Sequence, residues 1–338
     1  MRAAAYTSLG ESGTIESITL DDPEPDPGEA VVRVEACSVN HRDLWNLEGA
    51  QGVTQADLPY VGGSDVAGVV ETIGDGVDAV AAGDRVVLNP VESCGTCRFC
   101  RDGTENRCEN FGIFDGGFAE LARVDATRLV HVPDGVDLVD AAAIPIAYMT
   151  AYHMTRRADV EPGDLAFVPG ATGGVGVAAI QLLDAVGARS IATSTSAEKL
   201  EHLTELGADH TIQSADVEEI REGVQSIGPV DVTLNHLGGE YTALGLEVLD
   251  RGGRMVICGR TVSRFSEIDV RDLYWDHKRV IGSTMGTQAD LARLVDLLAD
   301  GQFEPAVGGT YALADTVDAF ETIGDRSAFG KQVILPQE

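Results

Sequence analysis

The hydrophobic pattern differs between the two parts of the chain. Up to about residue 145 it reads as short strands separated by turns. From Ala30 to Ala36, Val32, Val34 and Ala36 fall on one face, with Arg33 and Glu35 on the other. Residues 66–73 and 85–88 are further strand candidates, separated by Gly-Asp and Asp-Gly turns. Residues 21–28, with three prolines, read as a surface loop. This half is expected to be all-β. Beyond it, strand-like apolar blocks alternate with helical spacings.

The second part is organised by one stretch. Leu165 to Val168 is a short apolar block, followed directly by the turn Gly170-Ala171-Thr172-Gly173-Gly174-Val175-Gly176. Val175, Ala179, Leu182 and Val186 then recur at helical spacing until Gly187, and Ser190 to Thr193 is a second strand candidate. Strand, glycine turn, helix and strand within about 30 residues read as a dinucleotide-binding unit, in which backbone N–H groups approach a pyrophosphate at the helix N-terminus. Further strands are expected at 230–234, 254–258 and 280–283, with helices at 239–249 and 290–299. Residues 137–157 are helix-prone but interrupted at Pro145.

Composition narrows the function classes. Hydrophobic residues make up 44% and charged residues 23%, as in ordinary globular proteins, but 55 acidic against 24 basic residues give a net charge of −31. Only Lys199, Lys278 and Lys331 are lysines. So acidic a shell repels itself in dilute salt and is screened in concentrated salt, as in the proteins of halophilic archaea. A merely acidic enzyme is the plainer reading. Nucleic acid is excluded as a partner because its phosphates would be repelled. No secretory h-region and no long uncharged apolar run is visible, so a soluble cytoplasmic protein acting on a small molecule is expected.

The clearest chemical signal in the first half is Cys94-x2-Cys97-x2-Cys100-x7-Cys108. Four thiolates at this spacing can close around one tetrahedral Zn²⁺, leaving no open position for substrate, so the metal would be structural. Disulfides are the competing reading, disfavoured by the missing signal peptide. Cys37 and Cys258 stand apart as buried small residues.

A β-rich first half, a four-cysteine lobe and a strand–AxxGGxG–helix unit together resemble the medium-chain dehydrogenase/reductase superfamily, along essentially the whole chain. The resemblance implies an α/β protein with two domains. Residues 1–145 would form a GroES-like catalytic domain with a zinc lobe at 90–110. Residues 146–285 would form a doubly wound Rossmann domain with a parallel six-stranded sheet, and 286–338 would return to complete the first. The active site would lie in the cleft between the domains. Assembly through the Rossmann sheet edge, as a homodimer or homotetramer, is also implied.

The alcohol-dehydrogenase branch of that family carries a second, catalytic zinc. Where it has its ligand cysteine this chain has Asn40, within Asn40-His41-Arg42-Asp43, and where it has its ligand histidine this chain has Ser64. No third ligand stands near Ile144 to Ala147. An amide and a hydroxyl are poor replacements for thiolate and imidazole on Zn²⁺. A shifted site made of Cys37, His41 and Asp65 is the alternative. The Ser-Val-Asn and Gly-Ser-Asp-x-Ala-Gly wording is similar to the quinone oxidoreductase and enoyl reductase branch, which works without a catalytic metal. That resemblance implies reduction of a conjugated C=C or quinone, with Asn40 as a donor to the developing oxyanion, His41 as proton relay and Asp43 orienting it, and Tyr60 lining the cleft. A purely structural His41–Asp43 pair competes with this. The remaining readings are an alcohol dehydrogenase with an atypical zinc site, and a non-catalytic nucleotide-bound sensor.

Cofactor contacts are expected from Gly170, Ala171, Gly173, Gly174, Val175 and Gly176, and from Gly259 and Met285 at later strand ends. The second Rossmann strand ends in Ser194 and Thr195 where an NAD site has a carboxylate, and Lys199 follows. NADPH is therefore favoured over NADH. Thr195-Ser-Ala-Glu198 also reads as a helix capping box.

Overall fold

Period-two patterning in the first part of the chain produces strand Glu29–Val39, the spine of the first of two units. Its interior positions Val32, Val34 and Ala36 are buried and Arg33 and Glu35 are not, but from Ala36 onward every residue is buried because both faces are covered. Strand Asp65–Ile73 runs antiparallel along one side of it, and strand Lys331–Leu335 lies antiparallel along the other at its end. Three chain segments far apart in sequence thus finish side by side, at Ser38, Asp65 and Gln332.

The computed structural model describes residues 1–10 and 13–338. The first unit comprises Met1–Ile146 and Thr287–Glu338; the second comprises Ala147–Gly286. Among the described residues, the main sheet of the first unit has seven strands, packed around Val32, Val34, Val70, Leu88, Phe118 and Ile334. Tyr6, Phe118 and Phe320 meet edge to face within it. The first half is not all-β. Helices His41–Leu47 and Leu138–Ala143 belong to it, because Asn40 caps a run that cannot continue the strand and Asp137 caps an Ala-rich run.

The second unit is an α/β layer structure. Its six-stranded parallel sheet has the order 210–213, 189–194, 165–168, 230–235, 249–257, 279–282, the doubly wound order expected of a dinucleotide fold. Strand Leu165–Val168 is buried along its length, with Phe167 and Leu165 in a core that also holds Ile191, Leu244 and Met255. Helix Gly174–Val186 follows the glycine turn and ends at Gly187, whose φ of +80° terminates it. Its buried face differs from the stripe read in the sequence. Gly176 to Leu183 is buried continuously, whereas Val186 is exposed, because the helix is covered on more than one side. Pro145 sits in a wider π-helical turn, Ile144–Tyr148, between helices Leu138–Ala143 and Met149–Arg157, where its missing N–H is tolerated. Among the described residues no helix is long and apolar enough to cross a membrane.

Candidate functional site

In the second unit the glycine turn is shaped by sterics. Gly170 has φ +62°, and its N–H donates to Thr193 Oγ1 at 2.9 Å while the Ala171 N–H bonds to the Thr193 carbonyl. A Cβ on Gly176 would lie 2.5 Å from the Ala171 Cα, so the helix can approach the turn only with glycine there. Gly173 is different. Its φ is −86° and an added Cβ would meet nothing within 4 Å, so neither strain nor packing within the chain requires glycine. The space it keeps open lies at the N-terminus of the helix opening at Gly174 and Val175, the position at which dinucleotide folds receive a pyrophosphate. The residues present fit that group. Gly259 packs on the His236 carbonyl, 2.0 Å from where a Cβ would be, and Met285 has φ +49° with the Thr150 hydroxyl on its sulfur.

Two details differ from the sequence reading of this unit. The helix after the second strand is capped by Ser196, whose Oγ accepts the Lys199 N–H at 3.3 Å, so Thr195 is not the cap and is exposed. Ser194 is buried, and its Oγ accepts the Ser196 N–H. His236 has a structural place beside this turn. Burial drives its pKa down to about 4, against a hydrogen bond to the backbone of Gly170, so a neutral ring supports the glycine turn.

The cysteine lobe forms as expected. Sγ of Cys94, Cys97, Cys100 and Cys108 lie within 4.8 Å of one another, with individual separations of 3.5, 3.5, 3.9 and 4.0 Å. A tetrahedral ion with Zn–S bonds of about 2.3 Å sets its sulfurs about 3.8 Å apart. Four mutually adjacent sulfurs, rather than two pairs, suit one shared ion, and none of the six cysteines is in a disulfide. Backbone N–H groups of Cys94, Cys97 and Asn110 point at the sulfurs. Such donors, from Thr96 and Cys97, lower the Cys94 pKa to about 6 and favour the thiolate that binds metal.

The polar residues around the three strand ends form two networks. In one, Asp65 Oδ2 accepts from Ser38 Oγ (2.7 Å), Asn40 Nδ2 (2.8 Å) and Lys331 Nζ (3.1 Å), and Asp65 Oδ1 accepts the Ile146 N–H. Lys331 also donates to Asn40 Oδ1 at 2.5 Å and to the Val39 carbonyl. With its oxygen on the ammonium, the Asn40 amide directs its N–H groups at Asp65 and the Ser38 carbonyl. No amide N–H remains for an outside oxyanion, so the donor role expected of Asn40 is replaced by a positioning one.

In the other network, Arg42 grips Asp115 through both Nη atoms, at 2.6 and 3.0 Å, and its Nη1 also reaches Ser64 Oγ at 2.6 Å. Tyr60 Oη donates to Asp115 at 2.6 Å, and Asn46 and Ser64 add longer contacts. Asp115 is held there by the turn that hydrogen-bonds Gly116, Gly117 and Phe118 to Gly62 and Gly63. Burial opposes the Arg42 charge, but the hydrogen bonds and charge of Asp115 outweigh it and raise its pKa. Burial and Asp115 also raise that of Tyr60.

The residues at the two catalytic-ligand positions, Asn40 and Ser64, are therefore each engaged by protein cations. The donor set does not fit a catalytic zinc. Nor do Cys37, His41 and Asp65 assemble. Among the described residues, the cysteine lobe is the one group of three or more potential ligands whose atoms converge. Cys37 is sealed in the core, its sulfur against Gly63 and Gly117, and burial raises its pKa. His41 is exposed, with its ring edge-on to Trp45 at 5.1 Å; desolvation there lowers its pKa, against Glu48. Asp43 is fully buried. Its Oδ2 accepts the Asn40 N–H at 2.7 Å and its Oδ1 has no hydrogen bond, only the Arg42 guanidinium at 3.8 Å, so it closes the start of the helix rather than orienting His41. Arg42, Asp115 and Lys331 were not singled out from sequence. The one available signal was Lys331 as one of three lysines in an arginine-rich chain, since Lys278 is also buried on a carboxylate.

Two family models match. Residues 26–134 correspond to the alcohol dehydrogenase GroES-like domain and residues 174–300 to the zinc-binding dehydrogenase domain. The chain belongs to the medium-chain dehydrogenase/reductase superfamily and is an oxidoreductase of that class. It is 30% identical to an acryloyl-coenzyme A reductase of Sulfurisphaera tokodaii, over 94% of this chain and 95% of that protein. It is also 30% identical to an NAD-dependent alcohol dehydrogenase of the same organism, over 99% of this chain and 100% of that one. A thermostable alcohol dehydrogenase from Pyrobaculum aerophilum superposes with a TM-score of 0.91 at 36% identity, covering 99% of each chain.

Two measurements follow from this geometry. Purified protein should carry one zinc per chain by elemental analysis, and Cys97→Ser should bring it well below one; unchanged zinc would move the metal elsewhere. Burial, opposed by Arg42 and reinforced by Asp115, raises the Asp43 pKa from 3.8 to about 7. Between those values the folded protein binds more protons than the unfolded chain, so this group lowers stability as pH rises, by up to about 1.4 kcal/mol per pH unit. Urea denaturation of Asp43→Asn should show a flatter decline between pH 4 and 7 than the parent; parallel profiles would disprove it.

Proposed function

We propose that this protein reduces a carbon–carbon double bond conjugated to a carbonyl, using NADPH, with one structural zinc and no catalytic metal. The observation that carries this is the engagement of Asn40 and Ser64 by Lys331 and Arg42. An isolated ketone needs strong polarisation of its oxygen, which zinc supplies in alcohol dehydrogenases. A conjugated acceptor needs less, because hydride adds at the β carbon and the charge spreads into an enolate that hydrogen-bond donors can hold. The acryloyl-coenzyme A reductase relative supports an acceptor of this kind, with enoyl thioesters first among the candidates.

When bound, the dinucleotide supplies the hydride; the protein's own groups bind, orient and exclude water. The open backbone at Gly173 would hold the pyrophosphate. Ser194, without a carboxylate's charge, would admit a 2′-phosphate, with Lys199 in the following helix. His41, exposed and with its pKa lowered by desolvation, would pass protons to solvent. A second copy is the expected partner, at the edge strand Arg279–Gly282, beside exposed Tyr274 and Trp275.

The alcohol dehydrogenases among the relatives favour a second reading, oxidation of an alcohol at an atypical metal site. Steady-state assays separate the two. Enoyl thioesters and enones should be reduced, with activity retained by protein containing one zinc. Oxidation of simple alcohols dependent on a second zinc would sink the proposal. In the same assays Ser194→Asp should lower kcat/KM for NADPH at least about tenfold and improve NADH, a change of about 1.4 kcal/mol or more. Equal use of both cofactors by the parent would remove Ser194 and Lys199 from cofactor selection.

A further inference from the structure

A reaction that builds negative charge on an oxygen needs a donor with unspent hydrogens. Most polar groups of the first unit's site have none. Lys331 spends its three N–H groups on Val39, Asn40 and Asp65, and its side chain is 3% exposed. Asn40 spends its amide inward, and the Tyr60 hydroxyl goes to Asp115. His41 is exposed, with its ring edge-on to Trp45, and no partner among the described residues fixes where its N–H points.

Arg42 is different. A guanidinium has five N–H donors in a planar fork. Two from Nη1 go to Ser64 Oγ and Asp115 Oδ1, and one from Nη2 goes to Asp115 Oδ2. That leaves Nε–H and one Nη2–H without a partner among the described residues. The side chain is 16% exposed, and its Nε, which has no hydrogen bond, is not sealed from solvent. The plane cannot swing away. Asp115 holds it bidentately and is itself held by Tyr60 and Asn46. The fixed cation lies within hydrogen-bond distance of Ser64, the residue at a position where the zinc-dependent relatives have a metal ligand.

We propose that Arg42 is a catalytic residue, its free N–H edge receiving the carbonyl oxygen of the conjugated substrate. This rests on the reductase reading above and names the group that does the work. As a hydride forms the new C–H bond at the β carbon, the C=C electron pair becomes the Cα–carbonyl π bond. The carbonyl π pair moves onto the oxygen, where the guanidinium holds it without giving up a proton. Collapse of the enolate takes one proton from solvent at the α carbon. The double bond is reduced and the nicotinamide oxidised, and Arg42 ends as it began. Serine and asparagine at the former ligand positions then make sense as the seat of a fixed organic cation in place of a metal.

The test uses the full-length protein without dinucleotide, and a dimethylaminocinnamoyl thioester of coenzyme A as probe. Its absorption moves to the red when the carbonyl is polarised. The parent should shift the band. Arg42→Gln combined with Asp115→Asn, which keeps the charge balanced, should bind the probe without the shift. Arg42→Lys, which has a point charge but no fork, should keep at most part of it. With dinucleotide, kcat for enoyl thioester should fall about 10²–10³-fold in the double variant, as when a preorganised oxyanion donor is lost, with a smaller change in KM. If the double variant does not fold, Arg42→Lys decides, and a full shift with kcat within about threefold of the parent overturns the proposal, as it would in the double variant. A parent that reduces no enoyl thioester or enone overturns the reductase reading itself. A parent that reduces them without shifting the probe overturns Arg42 alone.

Discussion

The buried ion pair between Lys331 and Asp65 is the constraint on which the first unit's chemistry depends. Both side chains are almost entirely removed from water, which is costly for each charge and is repaid only when every remaining hydrogen-bonding position is filled. Here that condition is met. Asp65 accepts from Ser38, Asn40, Lys331 and the Ile146 backbone, and Lys331 donates to three oxygens. Taking away one partner would strand the other, at a cost of about 3–5 kcal/mol. The pair joins the ends of three strands, and the helix that leaves them opens with Asn40 as its cap, followed by His41 and Arg42. The helix that carries the guanidinium thus starts from an amide held by an ammonium 291 positions away, while Asp115 fixes the plane of the guanidinium itself.

Much of the second unit was readable because its information is local. A strand, a turn needing positive φ at Gly170, a close approach at Gly176 and an open position at Gly173 all fall within one short stretch, and each leaves a glycine in the sequence. The cysteine lobe was readable for the same reason. What escaped was non-local. Arg42 meets Asp115 across 73 positions and Lys331 meets Asn40 across 291, and no spacing rule connects such residues. Knowing which side chain Asn40 faces required the strand register. Its identity suggested a donor to substrate, and its neighbours turned the amide inward. The misread stripe on helix Gly174–Val186 has a related cause. A helix covered on several sides loses the polar face that periodicity arguments rely on.

On the reading proposed above, the two polar networks fill the place of a catalytic metal without leaving a hole. Removing thiolate and imidazole from a cation site leaves space and negative potential, both unfavourable in a partly dry pocket. Asn40 and Ser64 are smaller and neutral, and protein cations close on them from two directions. Asp43 then carries the remaining electrostatic burden. A third carboxylate so near Asp115 and Asp65 is forced toward its protonated form by burial and their charge. The net result is a site close to neutral inside a chain with a large negative charge.

The division of the chain has a temporal side. The first unit needs both termini, because strands Val307–Ala312 and Lys331–Leu335 complete its main sheet. The inserted unit draws every strand of its sheet from residues 165–282. On a ribosome, the inserted unit can close its core while the first still lacks two strands and the cation that Asp65 requires. The chain therefore acquires its nucleotide fold early and its reactive geometry last. Until Lys331 emerges, Asp65 and Asn40 lack the cation they share, and the polar network of the first unit stays open while the sheet of the second can already be complete.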